Sequence, residues 1–265
     1  MLETKNLLVG YSGSRGAVIA PFSLQASAGE FVCILGRNGA GKSTLLRTLA
    51  GLQLPLSGRV ELNGQEIQRM SAEVRAQHLA VVLTERAASP GLTTDDVVRL
   101  GRQPFTSWMG RLTANDHARV ADAFARSGAV DFRGRLFDDL SDGERQRVMI
   151  ARAIAQDTRV LLLDEITAFL DLPGRVEVMT LLRSHARHSG VIVILSSHDL
   201  DLSLQLADTI WLLDGQGRIV TGKPEALIQS GAIGQAFDTP DVVFSSLRAR
   251  FELRGTLGKP SSSSP

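Results

Sequence analysis

The stretch GRNGAGKST at 36–44 carries the strongest chemical signal in the chain. It fits G-x-x-x-x-G-K-[ST], with Gly36, Gly41, Lys42 and Ser43 at the fixed positions. The strand-like FVCIL precedes it and the helix-like TLLRTLA follows it. In that context the backbone N–H groups of Gly36, Arg37, Asn38, Gly39, Ala40, Gly41 and Thr44 would converge at a helix N-terminus, where unpaired donors and the helix dipole favour phosphate. Lys42 adds a cation for the β and γ phosphates, and the Ser43 hydroxyl is a ligand for Mg²⁺. The chemistry implied is binding of a nucleoside triphosphate.

Two further segments offer the groups that hydrolysis needs. VLLLDE places Asp164 at the end of an apolar strand, where open α/β sheets bind their ligands, and makes it a natural Mg²⁺ holder. Glu165, one residue on, is placed to polarise a water attacking the γ phosphate. His198 follows another such strand, VIVILSSH, and is expected at the same edge, within reach of the γ phosphate or the water. Ser141 and Glu144 form S-x-x-E before a helical pattern, a capping box that would present N–H groups to a ligand.

The elements that must hold these groups are legible as short apolar runs: FVCIL, LAVVL, VLLLD, VIVILSS and TIWLLD. They are apolar throughout rather than alternating, as strands buried on both faces of a parallel sheet are. SGRVELNGQEI, with Asn63-Gly64 after an alternating run, reads as antiparallel hairpin material. The fold class predicted is α/β, a P-loop NTPase core of RecA-like type with a mixed sheet, an antiparallel β edge and an inserted α-helical subdomain. Residues 1–85 and 159–237 are assigned to the nucleotide-binding core, and 86–158, rich in Ala and Arg with helical spacing, to the insertion. A hairpin over GQGRIVTGKP, a helix near 224–236 and a strand-like VVFSSLRARFEL complete the chain, with 238–265 read as a C-terminal extension and flexible tail.

Composition narrows the partners. In 265 residues, 29 Lys and Arg face 28 Asp and Glu, so no global charge excess points to nucleic acid or acidic membrane. One cysteine, Cys33, excludes an internal disulfide framework and a multi-cysteine metal site, which predicts a reducing compartment. The start, MLETKNLLVGY, has no apolar stretch of signal-peptide length, so export is not expected. The densest apolar runs fall far short of the ~20 residues that cross a bilayer.

Taken in order, GRNGAGKST, LSDGERQ at 140–146, VLLLDE, FLD at 169–171 and SSHD at 196–199 resemble the nucleotide-binding subunit of ABC transporters. The resemblance implies an ATPase that needs Mg²⁺ and works as a head-to-tail homodimer. Each ATP would lie between one subunit's phosphate loop and its partner's signature sequence, Ser141, Asp142, Gly143 and Glu144. By the same likeness Tyr11 would stack on adenine, Ser141 and Gly143 would touch the γ phosphate across the dimer, and Asp171 would link the two sites. Transmembrane permease subunits, a substrate-binding protein and a peripheral position on the cytoplasmic face of the inner membrane are also implied, with no nucleic-acid partner. GRQPF, TAFLDLP and HDLDLSLQLAD further resemble importers of iron-siderophore complexes, heme and cobalamin.

The chain departs from the family pattern at several positions. Asp142 replaces a usual glycine, Glu144 a usual glutamine and Ile166 a common proline. Glu85 stands where a glutamine normally links Mg²⁺ to the permease, so a carboxylate would face the triphosphate or ligate the metal itself. Two competing classes are a soluble ABC ATPase acting on DNA or ribosomes and a P-loop small-molecule kinase. The first typically has tandem cassettes or coiled-coil insertions, and the second has no use for LSDGE or His198.

Overall fold

A computed structural model describes residues 1–13, 16–83, 91–106 and 110–254. The chain opens with strands β1 (Leu2–Tyr11), β2 (Gly16–Phe22), β3 (Gln25–Ala26) and β4 (Phe31–Leu35). Helix α1 (Lys42–Leu49), strands β5 (Ser57–Leu62) and β6 (Gln65–Glu66), helix α2 (Ala72–His78) and strand β7 (Leu79–Val82) follow. Helices α3 (Thr94–Arg99), α4 (Ala114–Ser127) and α5 (Asp142–Ala155) come next. The chain then alternates through β8 (Val160–Asp164), α6 (Leu172–Ser189), β9 (Ile192–Ser196), α7 (Leu200–Leu206), β10 (Thr209–Leu213) and β11 (Ile219–Gly222). Helices α8 (Pro224–Gln229) and α9 (Ala232–Phe237) and strands β12 (Val242–Ser245) and β13 (Arg250–Leu253) close it.

The five apolar runs are β4, β7, β8, β9 and β10, and they form one parallel array in the order β10-β4-β9-β8-β7. Strand β11 joins its edge antiparallel to β10, which makes the sheet mixed. Each parallel strand alternates its side chains between two apolar layers. Phe31, Cys33 and Leu35 of β4 enter the larger core with helices α4, α5 and α6, whereas Val32 and Ile34 enter the core that holds α1 and β1. Burial of both faces explains why no polar alternation marks these strands in the sequence.

The antiparallel material forms a separate sheet rather than an edge of the first, in the order β2-β1-β5-β6 with β3 beside β1. Its β5–β6 hairpin turns on Asn63 (φ 50°) and Gly64 (φ 81°), the positive-φ pair that a two-residue turn requires. Near the C-terminus the sequence expectation needs two corrections. The helix near 224–236 is two short helices separated at Gly231, whose φ of 74° ends one and starts the next. The run 242–253 is a hairpin, β12 against β13, rather than one strand. Among the described residues no helix is long and apolar enough to cross a membrane.

Candidate active site

Gly41 caps α1 with φ 102° and contributes no side chain, so the first-turn N–H groups are left to the loop 36–41 and whatever it holds. A Cβ at this position would stand 2.7 Å from Val18 Cγ1, so β2 presses directly on the loop and only glycine fits. Lys42 is buried, 4% exposed, and its Nζ donates to the carbonyl of Gly36 at 3.0 Å, bending the side chain back across the loop. Nζ also lies 3.7 Å from Glu165 Oε1. Burial pushes the Lys42 ammonium below the ordinary lysine range, while the neighbouring Glu165 and Asp164 carboxylates push the other way. A buried ammonium of this kind would be favoured by a further anionic group in the loop.

Asp164 ends β8 and Ser196 ends β9, and the two are register partners across the sheet. The Ser196 hydroxyl donates to Asp164 Oδ1 at 2.6 Å, and the Ser43 hydroxyl donates to the same oxygen at 3.1 Å. Two hard oxygen ligands therefore sit side by side at the mouth of the phosphate loop. No group of three His, Cys, Asp or Glu capable of holding a metal occurs among the described residues. This donor set fits Mg²⁺, which takes one or two protein oxygens and completes its shell with phosphate and water.

Glu165 occupies the left-handed region at φ 49°. Its N–H donates to the Ser196 carbonyl at 3.2 Å and to the Ser196 hydroxyl at 3.0 Å, which holds this uncommon conformation. The side chain turns to His198, whose Nε2 lies 2.5 Å from Oε1. Tyr11, at the end of β1, has its hydroxyl 3.2 Å from that of Thr44. A cleft of about 470 Å³ gathers Tyr11, Asn38, Lys42, Ser43, Glu165 and His198 around the loop. The arrangement offers phosphate donors, a cation, a metal seat and an acidic group facing one space, the parts that phosphoryl-group hydrolysis uses.

The remaining expected residues lie elsewhere. Ser141 caps α5, accepting from the N–H of Glu144 at 3.3 Å while Glu144 Oε2 accepts from the N–H of Ser141 at 2.7 Å. The backbone N–H of Ser141, then Arg135 and the Ser141 hydroxyl, hold the Glu144 carboxyl down at about 2. Glutamate thus serves here as the cap's acceptor and as the ion-pair partner of Arg135, at 2.7 Å. Asp142 stands in the first turn of α5, 3.7 Å from Arg145. Gly143 faces Leu170, whose Cδ2 would be 3.1 Å from an added Cβ. Asp171 caps α6, its Oδ1 accepting from the N–H of Gly174 at 3.0 Å. None of these residues lines the phosphate-loop cleft. Glu85 lies outside the described residues. Ser196 is the participant that sequence reasoning missed; the signal available was its place beside His198 at a strand end.

Fold and site together define a P-loop nucleoside triphosphatase. The chain belongs to the ABC transporter family, whose model matches residues 19–168, and it is an ABC ATPase. It is 36% identical over 237 residues to the achromobactin transport ATP-binding protein CbrD of Dickeya dadantii, covering 89% of this chain and 87% of the other. It is 40% identical over 228 residues to the hemin import ATP-binding protein HmuV of Streptomyces coelicolor, covering 86% and 80%. Among solved structures, a dimeric ATP-binding cassette in a post-hydrolysis state bound to ADP and Pi matches with a TM-score of 0.74 and 26% identity, covering 84% of this chain and 99% of that one.

Proposed function

We propose that this chain is the ATP-hydrolysing subunit of an ABC importer that takes up iron-siderophore complexes, heme or cobalamin. The observation that carries the reading is the cleft in which Lys42, Ser43, Glu165 and His198 converge on the phosphate loop. Relatives named for achromobactin transport and for petrobactin, hemin and cobalamin import support the choice of cargo class. Residues 1–85 and 159–237 form the nucleotide-binding core, 86–158 the helical signature subdomain and 238–265 the extension. Lys42 and the loop N–H groups hold the β and γ phosphates, and Tyr11 stacks on adenine. Ser43 and Asp164 would hold Mg²⁺, which would offset charge on the phosphates. Glu165 orients the attacking water as its hydrogen-bond acceptor, and His198 fixes the carboxylate.

Two copies work head to tail, with Ser141, Asp142, Gly143 and Glu144 of one closing the site of the other and Asp171 joining the two. The dimer binds permease subunits at the cytoplasmic face of the membrane, and a substrate-binding protein delivers the cargo. By the family likeness, Glu85 is assigned the part of linking metal to permease. Purification of the tagged chain from detergent-solubilised membranes tests this reading. Recovery with a membrane permease that raises its ATPase rate is expected; recovery with ribosomes or DNA overturns it. The cargo then follows from ligands that the accompanying substrate-binding protein retains.

A further inference from the structure

A second cleft, of about 400 Å³, shares Asn38 and His198 with the first and is otherwise lined by Gly36, Arg37, Ser197 and Phe237. All but Phe237 come from the phosphate loop and the exit of β9. Phe237 is the last residue of α9, far along the chain and outside the 19–168 region that matches the family model. It is half-buried and packs against the larger apolar core.

The C-terminal hairpin fixes that ring. Phe251 meets Phe237 edge to face, with centroids 6.1 Å apart and planes at 75°, and meets Phe244 in the same way at 5.4 Å and 75°. Phe244 is anchored in the core at 6% exposure. The backbone is tied as well. Asp238, directly after Phe237, donates its N–H to the Gly234 carbonyl at 2.8 Å and accepts the Phe244 N–H on Oδ1 at 2.8 Å. Arg254 N–H donates to the Asp241 carbonyl at 3.0 Å and closes the hairpin base. The cleft is otherwise polar, so Phe237 gives it one aromatic wall in the same lining as His198.

We propose that Phe237 is a positioning residue for ATP hydrolysis: held by Phe251 and Phe244 of the C-terminal hairpin, it walls the cleft beside His198 and keeps that imidazole against Glu165. The proposal rests on the reading of Glu165 and His198 as the hydrolytic pair. Phe237 acts through His198, leaving the Lys42 and α1 contacts to phosphate untouched. Loss of the wall is therefore expected in turnover rather than in ATP affinity. Small misplacements of positioned groups cost up to about a hundredfold in rate, so a few-fold effect is well within reach.

The test measures kcat and KM for ATP in the full chain, normalised to nucleotide-binding stoichiometry, for the parent, Phe237→Ala, Phe237→Leu, Phe251→Ala and Phe251→Tyr. The alanine variants should lose about fivefold or more in kcat with KM within about twofold of the parent, while Phe237→Leu and Phe251→Tyr keep most of the rate. In a His198→Ala background, Phe237→Ala should cost nothing further, because the group it positions is gone. This cycle decides the matter even where Phe251→Ala does not fold. Parental kcat in Phe237→Ala, or losses that add in the double variant, overturns the proposal alone. His198→Ala hydrolysing at the parental rate overturns the hydrolytic-pair reading together with it.

Discussion

His198 Nε2 lies 2.5 Å from Glu165 Oε1, and the same carboxylate oxygen lies 3.7 Å from Lys42 Nζ. One oxygen is thus shared between an imidazole just past β9 and an ammonium from the phosphate-loop motif, while the Glu165 backbone is pinned to Ser196. On the proposed reading, a γ phosphate held by the loop would compete for Lys42 and leave the carboxylate to His198 and water.

Glu165→Gln should preserve ATP binding and suppress hydrolysis by about a hundredfold or more, the scale on which general-base variants act. The amide keeps the shape but loses the negative charge and turns one of the two acceptor oxygens into an NH2 donor, so it orients water poorly. Equilibrium binding of a fluorescent ATP analogue and steady-state phosphate release check the two halves separately. Hydrolysis at the parental rate excludes Glu165 as the water-orienting group.

Lys42→Ala should weaken ATP binding by about 1.5–3 kcal/mol, roughly ten- to a hundredfold in Kd, because the charge-assisted contact to phosphate is lost. Calorimetric titration gives the value. Unchanged affinity and unchanged turnover would contradict the phosphate-loop assignment.

Ser196→Ala tests a residue that touches both members of the acidic pair. Its hydroxyl is fully buried, donates to Asp164 and accepts from the Glu165 N–H, so the variant leaves two groups under-satisfied. A stability loss of about 1–3 kcal/mol is expected in urea unfolding. A fall in kcat should accompany it, since Glu165 loses one of the contacts holding its left-handed backbone. Parental stability and rate would remove Ser196 from the site.

The contrast between Ser196 and Lys42 marks what the sequence could reveal. Lys42, Ser43 and Asp164 are legible because local motifs fix them: a glycine loop between strand and helix, and an acid at the end of a doubly buried strand. Ser196 depends on the register of β9 against β8, which pairs it with Asp164, a distant partnership with no sequence period of its own. The separate antiparallel sheet has the same origin, since β1 finds β5 far along the chain, Leu2 pairing with Leu62 and Leu8 with Ser57. Phe237 is hidden for a further reason: the residues with which it lines a cleft, Arg37 and His198 among them, come from two other parts of the chain.

Asp116→Asn should destabilise the helical region by about 3 kcal/mol, the low end for breaking a buried ion pair. Asp116 is 4% exposed and accepts from the Thr113 hydroxyl at 2.7 Å, the Thr113 N–H at 2.8 Å and Arg102 Nε at 2.9 Å. The Thr113 hydroxyl leads these contacts in holding its carboxyl at about 2, against an ordinary 3.8. A lowered folded-state value means that the stabilisation is complete above about 3.8 and fades as pH falls toward 2. Unfolding measured from pH 5 to pH 2 should therefore show the parent losing stability faster than Asp116→Asn, with the two curves converging at the acid end. Parallel curves would show that Asp116 does not titrate in this window.

ATP should drive self-association. Ser141 and Gly143 do not line the cleft of their own chain, so the signature helix has no phosphate to meet there. On either side of Asp171, Phe169 of the preceding loop at 58% and Leu172 at the start of α6 at 62% are exposed large apolar side chains. Exposed apolar residues beside a capped helix start are what a partner surface would cover. The Glu165→Gln variant, which holds ATP without consuming it, should shift in light scattering from the 28.5 kDa chain to twice that mass when ATP and Mg²⁺ are added. Phe169→Asp in the same background should stay monomeric while binding ATP with unchanged affinity. A Glu165→Gln chain that remains a monomer at saturating ATP, both alone and with its permease present, would rule out a nucleotide-closed dimer.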